Sequence, residues 1–265
     1  MPITTGDINW RPRTAPEALT ALELLSSRLR GAGDDRAVFI DVYAVITRRV
    51  VDVMQAEDDT GFLDPQWLSE LTGLFAEEAL IATRCSLLGE PVTSSSWRLA
   101  TRHAARRPAS PWRSAVLGIN AHVNYDLGLV VHDYLRAHRE RIDAPQLRRY
   151  HQDYQRVNRI LEQSVAECAD VLVDRYGCRA TTAAGYLPLG RRTAAYAVML
   201  MLVSWRDRSW RDILTLWNAP DERTRTRVLR RMDRRAGRIA QAVTSGPVLG
   251  RSLRGIGSAL WRGLG

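Results

Sequence analysis

The sequence predicts an all-α protein, a single helical bundle of about six to nine helices with a buried polar centre. Signals for helix starts recur along the chain, each a capping residue with a proline close behind it, at Thr14, Asp64 and Ser110. No run of alternating β-branched residues is bounded by hairpin turns. A chain of 265 residues is also long enough to bury a sizeable core.

The first half of the chain contains three strong helix patterns, over residues 14–31, 34–55 and 64–89. The first begins at the N-cap Thr14 and ends at Gly31, where a C-cap residue belongs. The second is apolar over most of its circumference, which predicts a central position in the bundle.

The remaining helix patterns follow a loop at residues 89–110, in which a short helix is predicted over Trp97–Ala105. Ser110 and Pro111 then open the helix that contains the stretch LGINAHVNYDLGLVVHD. A long helix ends at Gly177, and residues 191–220 supply one or two more before Pro220.

Charge divides the chain unevenly. All 38 basic residues are arginines, and residues 221–265 contain 11 of them against three acidic residues, whereas the rest of the chain is nearly neutral. A nucleic-acid-binding domain would carry a basic patch on its folded body, so no nucleic acid partner is expected for the body. We predict an N-terminal arm at 1–14, a helical-bundle domain at 15–220, and a basic helix with a Gly/Arg-rich tail at 221–265.

Several classes of protein are excluded by absent motifs. The three cysteines form no CxxC pair, and the opening residues lack a charged region followed by an apolar one, so no signal peptide is expected. The longest apolar run, residues 194–205, is shorter than the roughly 20 residues of a membrane-spanning helix. A cytoplasmic protein is therefore expected. No Walker A or Gly-x-Gly-x-x-Gly stretch is present, so no nucleotide cofactor is expected.

Polar side chains interrupt three of the apolar helix faces. At 100° per residue, His122 and Asp126 share one face of their helix, Glu78 lies at the centre of an apolar stripe, and Asp153 lies at the edge of another. A buried carboxylate must share a proton, bind a metal or pair with a cation, because its isolated burial is very costly. The three helices are thus predicted to direct His122, Asp126, Asp153 and Glu78 toward one interior site.

Two interpretations of this polar centre stay open. In the structural one, His122 pairs with Asp126 and Glu78 pairs with an arginine. In the functional one, these groups are catalytic, either as acids and bases or as ligands of Mg²⁺ or Mn²⁺ held by Glu78, Asp126 and Asp153. Motifs of di-iron and zincin sites are missing, and a site without any metal stays open as an alternative.

Further residues are predicted to line the site. Tyr43 and Thr47 lie one turn apart on the apolar arc of their helix, and tryptophans could supply aromatic walls. Asp41, by contrast, shares a face with Arg48 and Asp52, which favours a solvated ion-pair stripe. The predicted substrate-binding set is Asn120, Asn124, Asn158, Tyr43, Thr47, Tyr154 and Trp205.

The stretch GINAHVNYDLGLVV resembles the signature helix, roughly Gly-x-Asn-Ala-His-Ile-Asn-x-Asp-Leu, of an actinobacterial all-helical family of unknown function. FIDVYAVIT at 39–47, DYQRVNRIL at 153–161 and the tryptophans of 205–217 support the resemblance, which covers about residues 35–218. The sequence departs from the family pattern at Asp41 and Tyr125. The resemblance implies a shared fold and a polar centre, but no reaction; that centre comprises Asn120, His122, Asn124, Asp126, Asp153 and Asn158.

We therefore expect an enzyme of actinobacterial specialised metabolism that acts on a small hydrophobic, isoprenoid- or polyketide-like metabolite. Lyase or cyclase chemistry would proceed by Mg-assisted ionisation or by acid–base catalysis with His122 as the base, oriented by Asp126. The isoprenoid analogy rests on architecture, since no Asp-Asp-x-x-Asp motif is present. The alternative is a non-catalytic binding protein, or one that makes weak contact with a membrane surface through residues 221–265.

Overall fold

The computed structural model describes residues 6–56, 61–92, 94–106, 109–178 and 190–245, with side chains from residue 195 onward in the last range. All regular structure in these ranges is helical, which confirms the predicted all-α bundle. The α-helices are α1 Ala15–Gly31, α2 Ala37–Gln55, α3 Pro65–Leu88, α4 Ser95–Ala104, α5 Pro111–Ala121, α6 Leu127–Ala137, α7 Ala144–Asp174, α8 Gly190–Trp217 and α9 Glu222–Ser245.

The helix starts follow the capping signals of the sequence. Ser110 precedes α5 as predicted, but its side chain makes no capping hydrogen bond. Thr14 accepts a hydrogen bond from the backbone N–H of Glu17, Asp64 from that of Trp67, and Asp143, which was not among the predicted caps, from that of Gln146. Each side chain satisfies one of the amides left unpaired in a first helical turn. Gly89 ends α3 in the left-handed conformation, with φ of 69°.

The apolar helix α2 occupies the centre of the bundle, as its composition predicts. It packs against α1, α3, α5 and α7, and residues on every side of it are buried. Two large apolar clusters flank it, one around Leu22, Ile40 and Leu80, the other around Trp67 and Ile213. The site described below lies between these two clusters.

The basic helix α9 belongs to the bundle. Its buried face includes Met232 and Ala236 and packs against α4 and α5, and Asp233 accepts hydrogen bonds from the backbone and hydroxyl of Ser95. The predicted boundary at residue 220 is therefore wrong for residues 222–245, because the apolar stripe of this helix was outweighed by its arginines in the sequence pattern. The Gly/Arg-rich remainder, 246–265, lies outside the described residues, as does the N-terminal arm before residue 6.

The interpretation of Asp41 as part of a solvated stripe is also corrected. Its side chain is buried and accepts hydrogen bonds from Ser26, Arg30, Arg175 and Tyr176. Within the described ranges, no helix combines the length and the apolar character that crossing a membrane requires.

Candidate functional site

The polar stretch singled out in the sequence forms a π-helical segment, His122–Asp126, between α5 and α6. A π-helical turn inserts one residue into an α-helix, and such turns are frequent at functional sites. Two carbonyls of the segment are capped by side chains from other helices. Ser209 of α8 donates to Val123 O at 2.6 Å, and Arg235 of α9 donates to Asn124 O at 3.1 Å. The irregular segment is therefore held by α8 and α9.

The two ends of this segment are a histidine and an aspartate in contact. His122 Nδ1 lies 3.3 Å from Asp126 Oδ2, and the indole N–H of Trp97 donates to the same oxygen at 2.8 Å. Both side chains are almost fully buried. Asp126 Oδ1 and His122 Nε2 have no hydrogen-bond partner among the described residues.

Aromatic rings enclose the imidazole of His122. The ring of Phe75 stacks on it with centroids 3.4 Å apart and an interplanar angle of 9°. Tyr43 approaches it edge-on at 4.3 Å, and Phe39 and Trp97 complete the enclosure. This packing fixes the orientation of the ring and removes water from it.

Burial sets the protonation of the pair. Desolvation lowers the pKa of His122 well below its usual value, which makes the imidazole neutral. Desolvation, with a smaller contribution from the charge of Glu78, raises the pKa of Asp126 well above its usual range, although the Trp97 hydrogen bond opposes that shift. Both directions favour a neutral pair, in which Asp126 keeps its proton.

A cavity of about 110 Å³ lies beside His122, between α2, α3, the π-helical segment, α7 and α8. Its wall is mostly aliphatic and aromatic. The predicted residues Tyr43, Thr47 and Tyr154 do line it, together with His122. These predicted residues are therefore brought together around one space.

Three buried polar atoms on residues of the cavity wall have no partner among the described residues: Tyr43 Oη, Trp67 Nε1 and His122 Nε2. Buried polar groups are nearly always hydrogen-bonded, so each such atom calls for an explanation. Their common position on one cavity indicates a place where a polar group of a ligand would be received.

Asp153 is not part of this cluster. Its fully buried carboxylate accepts the backbone N–H groups of Leu63 and Asp64, at 2.8 and 2.7 Å, and pairs with Arg156. Both of its oxygens are thus used to anchor the loop that leads into α3. The predicted catalytic and metal-binding roles of Asp153 are corrected accordingly, since its carboxylate serves the fold.

Glu78 lies near the pair without joining it. Its side chain is half-buried, and its pKa is raised by burial and by the charges of Glu77 and Asp133. It influences Asp126 electrostatically but does not line the cavity. Among the described residues no group of three or more metal-binding side chains comes together, so the predicted Mg²⁺ set of Glu78, Asp126 and Asp153 is not assembled there.

The two asparagines of the motif face away from the cavity. Asn120 donates to Ala236 O of α9 at 2.9 Å, and Asn124 donates to Asn120 Oδ1 at 3.1 Å. Neither lines the cavity, so the substrate-binding role predicted for them is not supported. They attach α9 to the π-helical segment instead.

Two further predictions fall outside the cavity. Asn158 lines a separate open groove of about 930 Å³ between α7 and α8, and its amide oxygen accepts a hydrogen bond from Arg206 Nε at 2.7 Å. Trp205 is half-buried and lines neither the cavity beside His122 nor this groove. An α8 register that puts Arg206 on the cavity wall turns the neighbouring Trp205 away.

The residues of the site that were missed from the sequence include Trp67, Phe75, Trp97 and Arg206. Trp67 and Phe75 occupy the apolar stripe of α3, so helical periodicity could have placed them beside the site. Trp97 and Arg206 carry no such signal, because a tryptophan in a short helix and one arginine among many look ordinary.

The chain belongs to the family of unknown function DUF5995, whose family model matches residues 15–246. This match includes α9 and covers most of the chain, in agreement with the packing of that helix. Comparison with curated proteins and with solved structures finds no match.

Proposed function

We propose that this protein is an enzyme that transfers protons to and from a compact hydrophobic substrate bound in the cavity beside His122. The observation that carries the proposal is the contact between two buried side chains, His122 and Asp126, of which His122 lines a mostly apolar cavity. Burial lowers the pKa of His122 and raises that of Asp126, which favours a neutral pair. Groups with strongly shifted pKa values that face a cavity are typical of acid–base sites.

The pair can act as an acid and as a base through a single nitrogen. In the neutral pair, the Asp126 carboxyl holds one proton against His122 Nδ1, and Nε2 holds the other. When Nε2 gives its proton to the substrate, the carboxyl proton moves to Nδ1, which leaves a carboxylate and an unprotonated Nε2. That form can take a proton back from the substrate.

The surroundings suit this exchange. The Trp97 N–H donates to Asp126 Oδ2 and so stabilises the carboxylate that forms during proton donation. The stacked Phe75 holds the imidazole in place, so little reorientation is needed before transfer. The acid–base version of the predicted lyase or cyclase chemistry has this support, whereas the Mg-assisted version has none among the described residues.

The cavity volume restricts the substrate. Pockets for drug-sized ligands measure roughly 300–1,000 Å³, well above the 110 Å³ found here. A prenyl diphosphate or a polycyclic polyketide exceeds this space. We therefore narrow the isoprenoid- or polyketide-like class expected from the sequence to a single ring or a short branched chain.

Solvent deuterium exchange tests the proposal without a known product. The full chain is incubated in D₂O with compact hydrophobic ketones, enones and carboxylic acids, and isotope incorporation is followed by mass spectrometry. We expect incorporation into a subset of the compounds, and His122→Gln should slow it by roughly 10²- to 10⁴-fold, the usual contribution of a general acid or base.

His132→Gln is the matched control. His132 is also buried, lies on the same continuous helix and pairs with Asp133 at 2.9 Å, but it does not line the cavity. It should leave the exchange rate unchanged. Equal losses in the two variants, or no exchange in any compound with the wild-type chain, would overturn the proposal.

A second candidate function is contact with an anionic membrane surface through α9. Five arginines form one exposed stripe along this helix and have no ion pair with a described residue: Arg223, Arg227, Arg230, Arg234 and Arg238. An anionic lipid surface attracts each such residue by about 1 kcal/mol.

Sedimentation with phosphatidylserine-containing vesicles tests this contact. Replacing Arg227, Arg230 and Arg234 by Gln should abolish co-sedimentation of the full chain. A control that replaces three exposed arginines elsewhere, Arg136, Arg141 and Arg148, lowers the net charge equally and should retain it. A truncation after residue 245 separates the predicted contribution of the tail. If both triple variants lose co-sedimentation equally, binding depends on net charge alone and contact specifically through α9 is wrong.

We also propose that the protein is located in the cytoplasm. This location is supported by three cysteines that form no disulfide bond, as expected for a reducing compartment. Detection of the native chain by fractionation of its source cells would test it.

A further inference from the structure

One cation lies on the wall of the cavity. Arg206 of α8 is 6% exposed and lines the same cavity as His122. Its guanidinium lies 4.2 Å above the ring of Tyr154, whose hydroxyl donates to Arg206 O at 2.8 Å. A buried arginine in this position is unusual, because charged side chains are almost never fully buried unless they are paired.

The partners of Arg206 in the described part of the chain are all neutral. Nε donates to the amide oxygen of Asn158, and Nη2 donates to the backbone carbonyl of Tyr154. No carboxylate within the described ranges forms an ion pair with it; the neighbouring Asp207 acts on it only at longer range and accepts a hydrogen bond from Gln155. Two of the five guanidinium N–H donors are used, so the group retains donors and an uncompensated charge.

The other unpartnered groups of the cavity are donors as well. The hydroxyl of Tyr43 and the indole N–H of Trp67 can both donate, and in the neutral pair His122 presents Nε2–H. The described residues of the wall thus carry three neutral donors and one cation among mostly apolar side chains, a set complementary to a ligand with acceptor oxygens and a negative charge.

We propose that the cavity binds a compact hydrophobic carboxylate, with its carboxylate on Arg206 and its apolar body against the aromatic rings beside His122. This inference rests on the proposed function and names its substrate class. A guanidinium forms charge-assisted and often bidentate hydrogen bonds with a carboxylate, which supplies the counter-charge that the described residues do not. The volume of about 110 Å³ limits the acid to a short branched chain or a single ring.

Binding of acids and their amides tests this directly. The wild-type full chain is titrated with 2-methylpropanoate, 3-methylbutanoate and benzoate, and with the three corresponding primary amides, by calorimetry or ligand-observed NMR. Acid and amide have nearly the same shape and differ in charge. We expect at least one acid to bind about tenfold or more tightly than its amide, since charge-assisted hydrogen bonds are roughly twice as strong as neutral ones.

Variants of α8 assign the preference to Arg206. Arg206→Gln should bring the ratio of acid to amide affinity close to one, and Arg206→Lys should keep a reduced preference because it retains the charge. Arg211→Gln is the matched control, since Arg211 is exposed on the same helix and outside the cavity, and it should keep the wild-type ratio. If Arg206→Gln does not fold, the role of Arg206 is judged from the ratios of acid to amide affinity in the wild-type chain and in Arg206→Lys.

Each outcome separates this inference from the proposed function. Acid-selective binding without isotope exchange would support the carboxylate site and overturn the proton-transfer proposal. Isotope exchange with equal affinity for acids and amides would support the proton-transfer proposal and overturn the carboxylate site. No binding of any of the three acids to the wild-type chain, or a ratio near one, would overturn the carboxylate site.

Discussion

His122 Nδ1 lies 3.3 Å from Asp126 Oδ2, so the two ends of a single π-helical turn share one hydrogen bond inside the protein. Four further residues restrict this contact: Trp97 donates to the carboxyl group, Phe75 stacks on the imidazole, and Ser209 and Arg235 cap the carbonyls of the turn. The pair is therefore held by residues of four other helices, which gives each of the variants below a defined structural meaning.

Asp126→Asn should change how stability depends on pH. Because burial raises the pKa of Asp126, the folded wild-type chain holds a proton that the unfolded chain releases above a pH of about 4. The stability contribution of that proton is complete below pH 4 and is lost as pH rises toward the folded-state pKa. Asparagine does not titrate, so the variant should gain stability relative to wild type between pH 4 and pH 8, as measured by urea denaturation.

The same variant should also lose proton exchange, because an amide cannot pass a proton to Nδ1. A stability difference between Asp126→Asn and wild type that stays constant from pH 4 to pH 8 would show that Asp126 is not protonated in the folded state. An Asp126→Asn protein with full exchange activity would remove Asp126 from the mechanism.

Asp153→Asn should act on stability alone. Asp153 accepts N–H groups with both oxygens, whereas asparagine would place its own NH₂ against one of them. We expect a loss of about 1–3 kcal/mol in the free energy of unfolding, the usual effect of leaving a buried group unpaired. Isotope exchange per folded molecule should be unchanged.

Arg156→Gln is the control for Asp153, because it removes only the ion pair of a side chain that is 41% exposed. Its effect on the free energy of unfolding should stay below about 1 kcal/mol. If Asp153→Asn folds with wild-type stability yet loses isotope exchange, the assignment of Asp153 to the fold is wrong.

Much of the fold could be predicted from the sequence, because helix caps are local. The predicted N-caps Thr14 and Asp64 accept backbone amides of their first helical turns, and the π-helical segment still leaves His122 and Asp126 in contact. The boundary at residue 220 could not be predicted from charge, since the arginines of α9 occupy its outer faces and Met232 and Ala236 its buried one.

The candidate site could be predicted only in part. His122, Tyr43, Thr47 and Tyr154 line the cavity and Asp126 contacts His122, because helical periodicity identifies which residues face inward. Periodicity does not identify what an inward side chain contacts, and that depends on neighbouring helices. Asp153 thus anchors a loop, and Asn120 and Asn124 connect to α9, rather than facing the cavity as predicted. Arg206 was overlooked because it is one of many arginines.

Ser209→Ala should loosen the π-helical segment. The hydroxyl donates to Val123 O at 2.6 Å, and its loss leaves that carbonyl without this donor. We expect about 1–3 kcal/mol of destabilisation and slower isotope exchange, because the distance between His122 and Asp126 depends on the turn. Denaturation and exchange rates measure the two effects separately.

Thr215→Ala on the same helix is the control for Ser209. Its exposed hydroxyl only returns to Arg211 O within α8, so stability and exchange should both remain near wild type. If Ser209→Ala keeps both the stability and the isotope exchange rate of wild type, α8 does not hold the π-helical segment.

Two glycines on the continuous α5–α6 helix test how closely the aromatic enclosure is packed. A Cβ atom at Gly118 would lie 2.2 Å from Cγ of Phe39, a ring that contacts His122, whereas a Cβ at Gly128 would meet the flexible end of Met232 at 2.5 Å. Gly118→Ala should therefore lose at least about 1–3 kcal/mol in the free energy of unfolding through overpacking, and it should slow isotope exchange by displacing Phe39.

Gly128→Ala is the control. The side chain of Met232 can move and alanine favours a helix by up to about 1 kcal/mol, so stability should stay within about 1 kcal/mol of wild type. Thermal denaturation of the two variants side by side, with exchange rates, provides the comparison; equal stability would mean that Phe39 can move freely and does not fix the position of His122.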